Sequence, residues 1–214
     1  MPSEQPSVPE KRVRLSGEER RLSILRSAKR VFARSTYAGA STSELARECE
    51  VTEPMLYKHF GSKKGLFLAV LETFSPLLLE TLRESIARRS SGDISDALMH
   101  VVSDYLAAIT AHPETPRILF QAVAEARDPD IARCVNRHKR AVYEVIRELV
   151  ARARSLGALD AEIDLDAATS GYMSMILAHQ YDLMLKDGSS LLDEGRVQDE
   201  VSRIWLRGLQ ASGS

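Results

Sequence analysis

The chain has 214 residues, 44% of them hydrophobic and 28% charged, enough for a substantial core and ordinary for a globular protein. Its 29 Lys/Arg nearly balance 30 Asp/Glu, and its two cysteines, Cys49 and Cys134, are too few for a disulfide framework or a four-thiolate zinc site. The longest unbroken apolar run, Leu66 to Leu71, is far short of the roughly 18 residues of a membrane span, and no apolar signal segment opens the chain, so a soluble cytoplasmic protein is expected.

Charge is unevenly placed. Residues 1–64 hold 13 Lys/Arg against 8 Asp/Glu, whereas residues 65–214 hold 16 against 22. A basic first part joined to an acidic remainder suits a protein whose first part meets a polyanion, or simply two solvated surfaces that differ. Residues 1–16, with Pro2, Pro6, Pro9 and the cluster Lys11, Arg12 and Arg14, offer little to bury and are expected to form a flexible basic tail.

From Ser16 the period is helical. Ser16-x-x-Glu19 is a capping box, after which Leu22, Leu25, Ala28, Val31 and Phe32 share a face. A second capping box, Ser41-x-x-Glu44, opens a short helix carrying Leu45 and Ala46. Past Cys49-Glu50-Val51, a second short helix carries Met55, Leu56 and Phe60 until Gly61. Ser62-Lys63-Lys64 opens a long apolar helix, in which Pro76 predicts a kink or break. Asp93 caps the next helix, Pro113 and Pro116 punctuate before another, and Asp128-Pro129 supplies an N-cap and an N1 proline to a long one ending near Gly157. Helices at about 165–187 and 194–209, separated by Asp187-Gly188-Ser189-Ser190, complete the chain before a frayed Ala-Ser-Gly-Ser end. No segment alternates with period two, so the fold class is all-α.

Motifs for catalysis are missing. There is no His-Glu-x-x-His, Gly-x-Ser-x-Gly, phosphate-binding glycine loop or dinucleotide fingerprint, and no Glu stands three residues before any histidine. The expectation is a protein that is not an enzyme, with no metal and no cofactor. Residues 41–60, by contrast, have the form of a helix-turn-helix. Leu45 and Ala46 point inward, Ala46 is small enough for a crossing helix, and Val51 is buried in the turn. Thr52 is a natural N-cap, and Leu56 and Phe60 bury one face of the second helix. That helix would enter the major groove of DNA with Glu53, Met55, Lys58 and His59 opposite the buried face.

The surrounding text is more specific. From Glu19 it reads ERRLSILRSAKRVFARSTYAGASTSELARECEVTEPMLYKHFGSKKGLFLAVLE. Residues 19–72 resemble the DNA-binding region of TetR-family transcriptional regulators, with the Leu-Tyr-x-His-Phe-x-x-Lys core at Leu56–Lys63 as the most specific match. Two positions depart from the family pattern: Glu50 in the turn and Thr36 after the first helix stand where glycine is common and a left-handed backbone is favoured. The resemblance implies that Thr42, Thr52, Tyr57, His59 and Lys63 meet phosphates, with Lys64 adding to the field. It also implies that Glu53, Pro54, Met55 and Lys58 face base edges.

The same resemblance implies three parts: the tail at 1–16, a DNA-binding domain at 17–64, and a helical effector-binding and dimerisation domain at 65–214. Its implied partners are a double-stranded DNA operator, a second copy of the chain and a small, largely apolar effector, with no membrane. Small residues Gly171, Ser174 and Ala178 on one helix, with Val201 and Trp205 on the last, are the candidate dimer interface. Soft or polar groups on apolar faces are the candidate ligand contacts: His100, Tyr105, Phe120, His138, Tyr143, Met175 and His179, with Met173 and Met184 beside them. A helical enzyme or carrier that has lost DNA binding, or an adaptor for an acidic partner, is the competing reading.

Overall fold

The first helix, α1 (Gly17–Arg34), begins where the sequence says it must: the Ser16 hydroxyl accepts from the Glu19 amide and the Glu19 carboxylate from the Ser16 amide. Residues 16–111, 114–185 and 194–210 are described in the computed structural model. The expected basic tail (its residues 1–15), Pro113, the Asp187–Ser190 connection, the Met184 side chain and the terminal Ala-Ser-Gly-Ser lie outside them. The described residues form helices and connections only. After α1 come α2 (Thr42–Glu48), α3 (Glu53–Phe60), α4 (Lys63–Ser90), α5 (Ile94–Thr110), α6 (Glu114–Ala124), α7 (Pro129–Ser155), α8 (Leu165–Leu185) and α9 (Glu194–Leu209).

Local chemistry sets most boundaries. The Asp93 carboxylate caps α5, and that of Asp128 accepts from the amides of Asp130 and Ile131 ahead of Pro129. Gly157, at φ 75°, closes α7, with its amide bonded to the Arg154 carbonyl and that of Ala158 to the Ala153 carbonyl. Of the kink or break expected at Pro76, the break does not occur: α4 runs through it for 28 residues. Packing from both ends holds this helix, which outweighs one missing hydrogen bond. By length and composition α4 could cross a membrane, but its Leu66, Phe67, Val70, Leu71, Leu78, Leu79 and Leu82 are buried within the protein.

Those residues divide between two cores. The first gathers Ile24, Leu25, Val31 and Phe32 of α1, Leu45 and Ala46 of α2, Leu56 of α3 and Leu66 to Leu71 of α4. Phe32 and Phe67 meet edge to face in it, with centroids 5.0 Å apart. The second joins the far half of α4 to α5, α7, α8 and α9 around Leu82, Leu98, Val101, Ile109, Ile146, Val150 and Tyr172. The boundary expected after residue 64 falls inside the first core, because Leu66, Phe67 and Val70 are needed to close it. Ile118 and Ala122 of α6 and Ile131 and Cys134 of α7 also belong to it, so the two parts share walls.

Polar latches reinforce that junction. The Gln121 side-chain amide donates to the carbonyls of Phe32 (2.7 Å) and Ser35 (2.9 Å) at the end of α1. Lys64 Nζ lies 3.0 Å from Asp128 and 2.8 Å from Asp130 at the start of α7. The Lys64 ammonium holds the Asp128 carboxyl below its ordinary range. A carboxyl lowered by folding stabilises above its unfolded pKa, near 4, and loses that contribution as pH falls through the lower folded value. Lys64→Met is therefore expected to lower the melting temperature at pH 6–7, with the difference from wild type shrinking as pH falls below about 4. Thermal denaturation across that range checks it, and an equal difference at every pH would show that the clasp contributes nothing.

Candidate nucleic-acid interface and the helical domain

The turn between α2 and α3 fixes the interface. The Glu50 amide bonds to the Arg47 carbonyl and the Val51 amide to the Ala46 carbonyl, a 5→2 and 6→1 pair that requires a left-handed residue between them. Glu50 supplies it at φ 54°. It is the only non-glycine residue at positive φ among the described residues, so Thr36, the other expected left-handed site, is not one. Thr36 instead uses its hydroxyl to accept from the Gly39 amide at 2.9 Å. Glu50→Gly is expected to stabilise the fold by about 1 kcal/mol by removing this strain, raising the melting temperature by about 2–4 °C. No rise on calorimetry would show that the strain is relieved some other way.

Packing then orients α2 and α3. Arg34 at the end of α1 reaches Glu44 (3.1 Å) and Glu48 (3.3 Å), holding α2 against α1. Cys49 is buried, its Sγ donates to the Ile24 carbonyl at 3.5 Å, and burial pushes its thiol up to about 11. It is a packing residue with no thiolate at neutral pH. Leu56 is buried, Phe60 half-buried, and Arg21 stacks over the Phe60 ring.

With those residues turned inward, α3 presents Thr52, Pro54, Tyr57, Lys58 and His59 to solvent, with Glu53 and Met55 half-exposed. Thr52 stands at the N-cap, but its side chain makes no capping bond. The Tyr57 ring is 44% exposed, and its hydroxyl lies 3.3 Å from that of Thr42 across the two helices. Thr42 and Tyr57 therefore meet across the helix pair, and no described residue forms an ion pair with the exposed Lys58 or His59.

The two lysines after α3 are placed differently. Lys63 Nζ donates to the carbonyls of Ala38 (3.2 Å) and Ala40 (3.0 Å) and lies over the Tyr37 ring, so it fastens the loop before α2. Lys64 is held by Asp128 and Asp130, which neutralise its charge. Neither role was legible locally, because both sets of partners are remote in sequence.

Residues 24–70 match the family described as bacterial regulatory proteins, tetR family. The HTH-type transcriptional activator FasR of Mycolicibacterium smegmatis is 30% identical over 145 residues, 68% of this chain and 65% of that protein. The HTH-type transcriptional repressor AcnR of Corynebacterium diphtheriae is 26% identical over 190 residues, 86% of this chain and 87% of that one. The solved structure of FadR from Bacillus subtilis, a complex with stearoyl-CoA, superposes with a TM-score of 0.72 at 15% identity, covering 88% of this chain and 99% of that one. Together the family match and these relatives support a TetR-family regulator.

In the helical part of the chain the sequence-predicted ligand residues only partly converge. Gln180 Nε2 donates to the Tyr105 hydroxyl at 3.2 Å, and that hydroxyl lies 3.3 Å from His138 Nε2, linking α5, α7 and α8. Gln180 was missed from sequence because a lone glutamine on a helix carries no signal. Burial lowers the His138 pKa and pushes the Tyr105 hydroxyl up to about 12, so both are neutral near pH 7. His138 Nδ1 is buried without a hydrogen-bond partner among the described residues. The buried Tyr172 hydroxyl also has none. Met175 and Met173 pack partly buried against the same core.

The other candidates are engaged elsewhere. His179 Nδ1 bonds to the Met175 carbonyl and His100 Nδ1 to Asp96, each within its own helix. Tyr143 donates to Asp166, which also pairs with Arg147 in an exposed cluster, and Phe120 is half-buried on α6. Among the described residues no group of His, Cys, Asp or Glu is placed to hold a metal ion.

The proposed dimer residues separate as well. A Cβ on Gly171 would lie 2.0 Å from the Trp205 ring, so these two pack against each other within one chain. Small size at Gly171 serves the α8–α9 contact. Ser174, Ala178 and Val201 are exposed, in company with Leu177 (62% exposed), Tyr181 (57%) and Ile204 (62%).

Proposed function

We propose that the protein is a homodimeric transcriptional repressor that binds a near-palindromic operator and is released by a small, largely apolar ligand. The observation that carries the reading is the open face of α3, where Thr52, Tyr57, Lys58 and His59 stand exposed on a helix anchored by Leu56. Hydroxyls and cations there suit phosphates. Glu53, Pro54, Met55 and Lys58, on the first turns of α3 and just beyond, would meet base edges, with Glu53 accepting from cytosine and Lys58 donating to guanine. In that complex Thr42 would bind phosphate beside Tyr57. Lys63 would do so by exchanging a carbonyl partner, and Lys64 only if its clasp opened.

Dimerisation is supported by the exposed apolar residues Leu177, Ala178 and Tyr181 of α8 and Val201 and Ile204 of α9, which a second copy would take out of water. A second copy set on these residues would bring two α3 helices to successive major grooves, about 34 Å apart or a multiple of it. The effector site is proposed around Tyr105, His138, Met175 and Gln180. There a polar group on an otherwise apolar ligand would satisfy His138 Nδ1. AcnR, similar over most of both lengths, is named a repressor, which favours repression. The protein would act in the cytoplasm, where DNA is, as a regulator and not as a catalyst.

Selecting genomic fragments with purified protein at near-physiological salt tests this directly. The expected result is enrichment of a shared near-palindrome bound by a particle of two-chain mass, and a one-chain mass for Leu177→Asp/Ile204→Asp. Recovery of no common sequence would overturn the repressor reading.

A further inference from the structure

The junction between α1 and the helical domain encloses a half-open cavity of about 350 Å³ that the reading above does not use. Its α1 wall is cationic, with Arg26, Lys29 and Arg30; α4 contributes an apolar wall, Phe74, Leu77 and Leu78; and Glu114 stands at the α6 side. This volume falls in the range of small-ligand pockets, roughly 300–1,000 Å³.

Lys29 is the informative residue. It is only 8% exposed, yet its ammonium makes no hydrogen bond or ion pair with any described residue. Its one close neighbour is the Phe74 ring, 4.7 Å away. Burial lowers its pKa, and Glu114 opposes that only at longer range. A lysine this largely buried, with no hydrogen-bonded counter-charge among the described residues, is costly, and a methionine would fill the same space without that cost. With Arg26 and Arg30 beside it, the cavity carries three cations against one carboxylate.

We propose that this cavity is a second small-molecule site, one that takes an amphipathic organic anion. The carboxylate or phosphate head would lie at Lys29 with Arg26 and Arg30, and the apolar body would lie along Phe74, Leu77 and Leu78. The site is distinct from the Tyr105–His138 region, which is built on α5, α7 and α8. An occupant would touch α1 on one side and α4 and α6 on the other, and so would bear on how the DNA-binding helices sit against the effector domain.

Titration calorimetry on the DNA-free full-length protein tests this with decanoate, decyl phosphate, decanol and inorganic phosphate, so the outcome does not depend on operator binding. Decanoate or decyl phosphate is expected to bind at least tenfold more tightly than decanol and inorganic phosphate. Lys29→Met should weaken the anion about tenfold or more, the loss of one charge-assisted hydrogen bond, and exposed Arg26→Ala should weaken it in the same direction. Tyr105→Phe should leave it unchanged. Equal binding of decanol, equal binding of inorganic phosphate, or anion affinity indifferent to both Lys29→Met and Arg26→Ala would overturn the proposal. Loss of binding in Tyr105→Phe alone would place the anion in the helical domain and overturn it too.

Discussion

Replacing Thr52, Tyr57 and Lys58 together by alanine is expected to lower operator affinity by on the order of 100-fold or more while leaving the melting temperature within about 2 °C of wild type. A phosphate or base contact is worth roughly 1–3 kcal/mol, so three lost together exceed the 2.7 kcal/mol or so that corresponds to 100-fold. The fold has little stake in them: all three side chains are exposed, Thr52 makes no capping bond, and the Tyr57 hydroxyl bonds only to another exposed hydroxyl. Lys63 is left intact on purpose, because it holds the Ala38 and Ala40 carbonyls and its loss would disturb the loop as well as any phosphate contact. Titrations of labelled operator at several salt concentrations measure the effect, with a shallower salt dependence in the variant. Wild-type affinity in the triple variant would mean that α3 does not read DNA.

Gly65→Ala should be the more damaging single change. Gly65 lies in the first turn of α4, immediately after the sharp turn from α3, and a Cβ there would lie 2.0 Å from the Phe60 carbonyl oxygen. That oxygen belongs to the backbone and accepts from the Ser62 amide, so it cannot swing aside as a flexible side chain would. Relief requires α3 to move away from α4. The expected cost is about 2 kcal/mol, or about 4–8 °C in melting temperature, with a loss of operator affinity because the recognition helix is displaced. Gly17→Ala, in open space at the start of α1, serves as the control and should change stability by no more than about 0.5 kcal/mol. An unchanged melting temperature in Gly65→Ala would show that the α3–α4 turn relaxes freely.

Much of this was legible along the chain because it is local. The caps at Ser16, Asp93 and Asp128, the stop at Gly157 and the inward Leu45, Ala46 and Leu56 follow from side chains within one or two turns of the backbone they satisfy. Pro76 shows the limit of that logic, since a local helix breaker was overridden by packing along both halves of α4. Thr36 and Glu50 were expected to share one conformation. They differ because the paired turn bonds require a left-handed residue only at Glu50, while Thr36 caps its own turn through its hydroxyl.

Sequence alone determined the helical class, the helix-turn-helix and the solvent face of α3, all consequences of periodicity and short-range hydrogen bonding. Only the tertiary structure decided where the charges and small residues go. It assigned Lys63 to backbone carbonyls and Lys64 to two aspartates more than sixty residues away. It turned Gly171 onto Trp205 within one chain, and joined Tyr105, His138 and Gln180 across three helices. It also left Lys29 buried beside a cavity. A long side chain's partner is set by which helices the two cores bring together, and that choice is made by the summed burial of residues far apart in the chain.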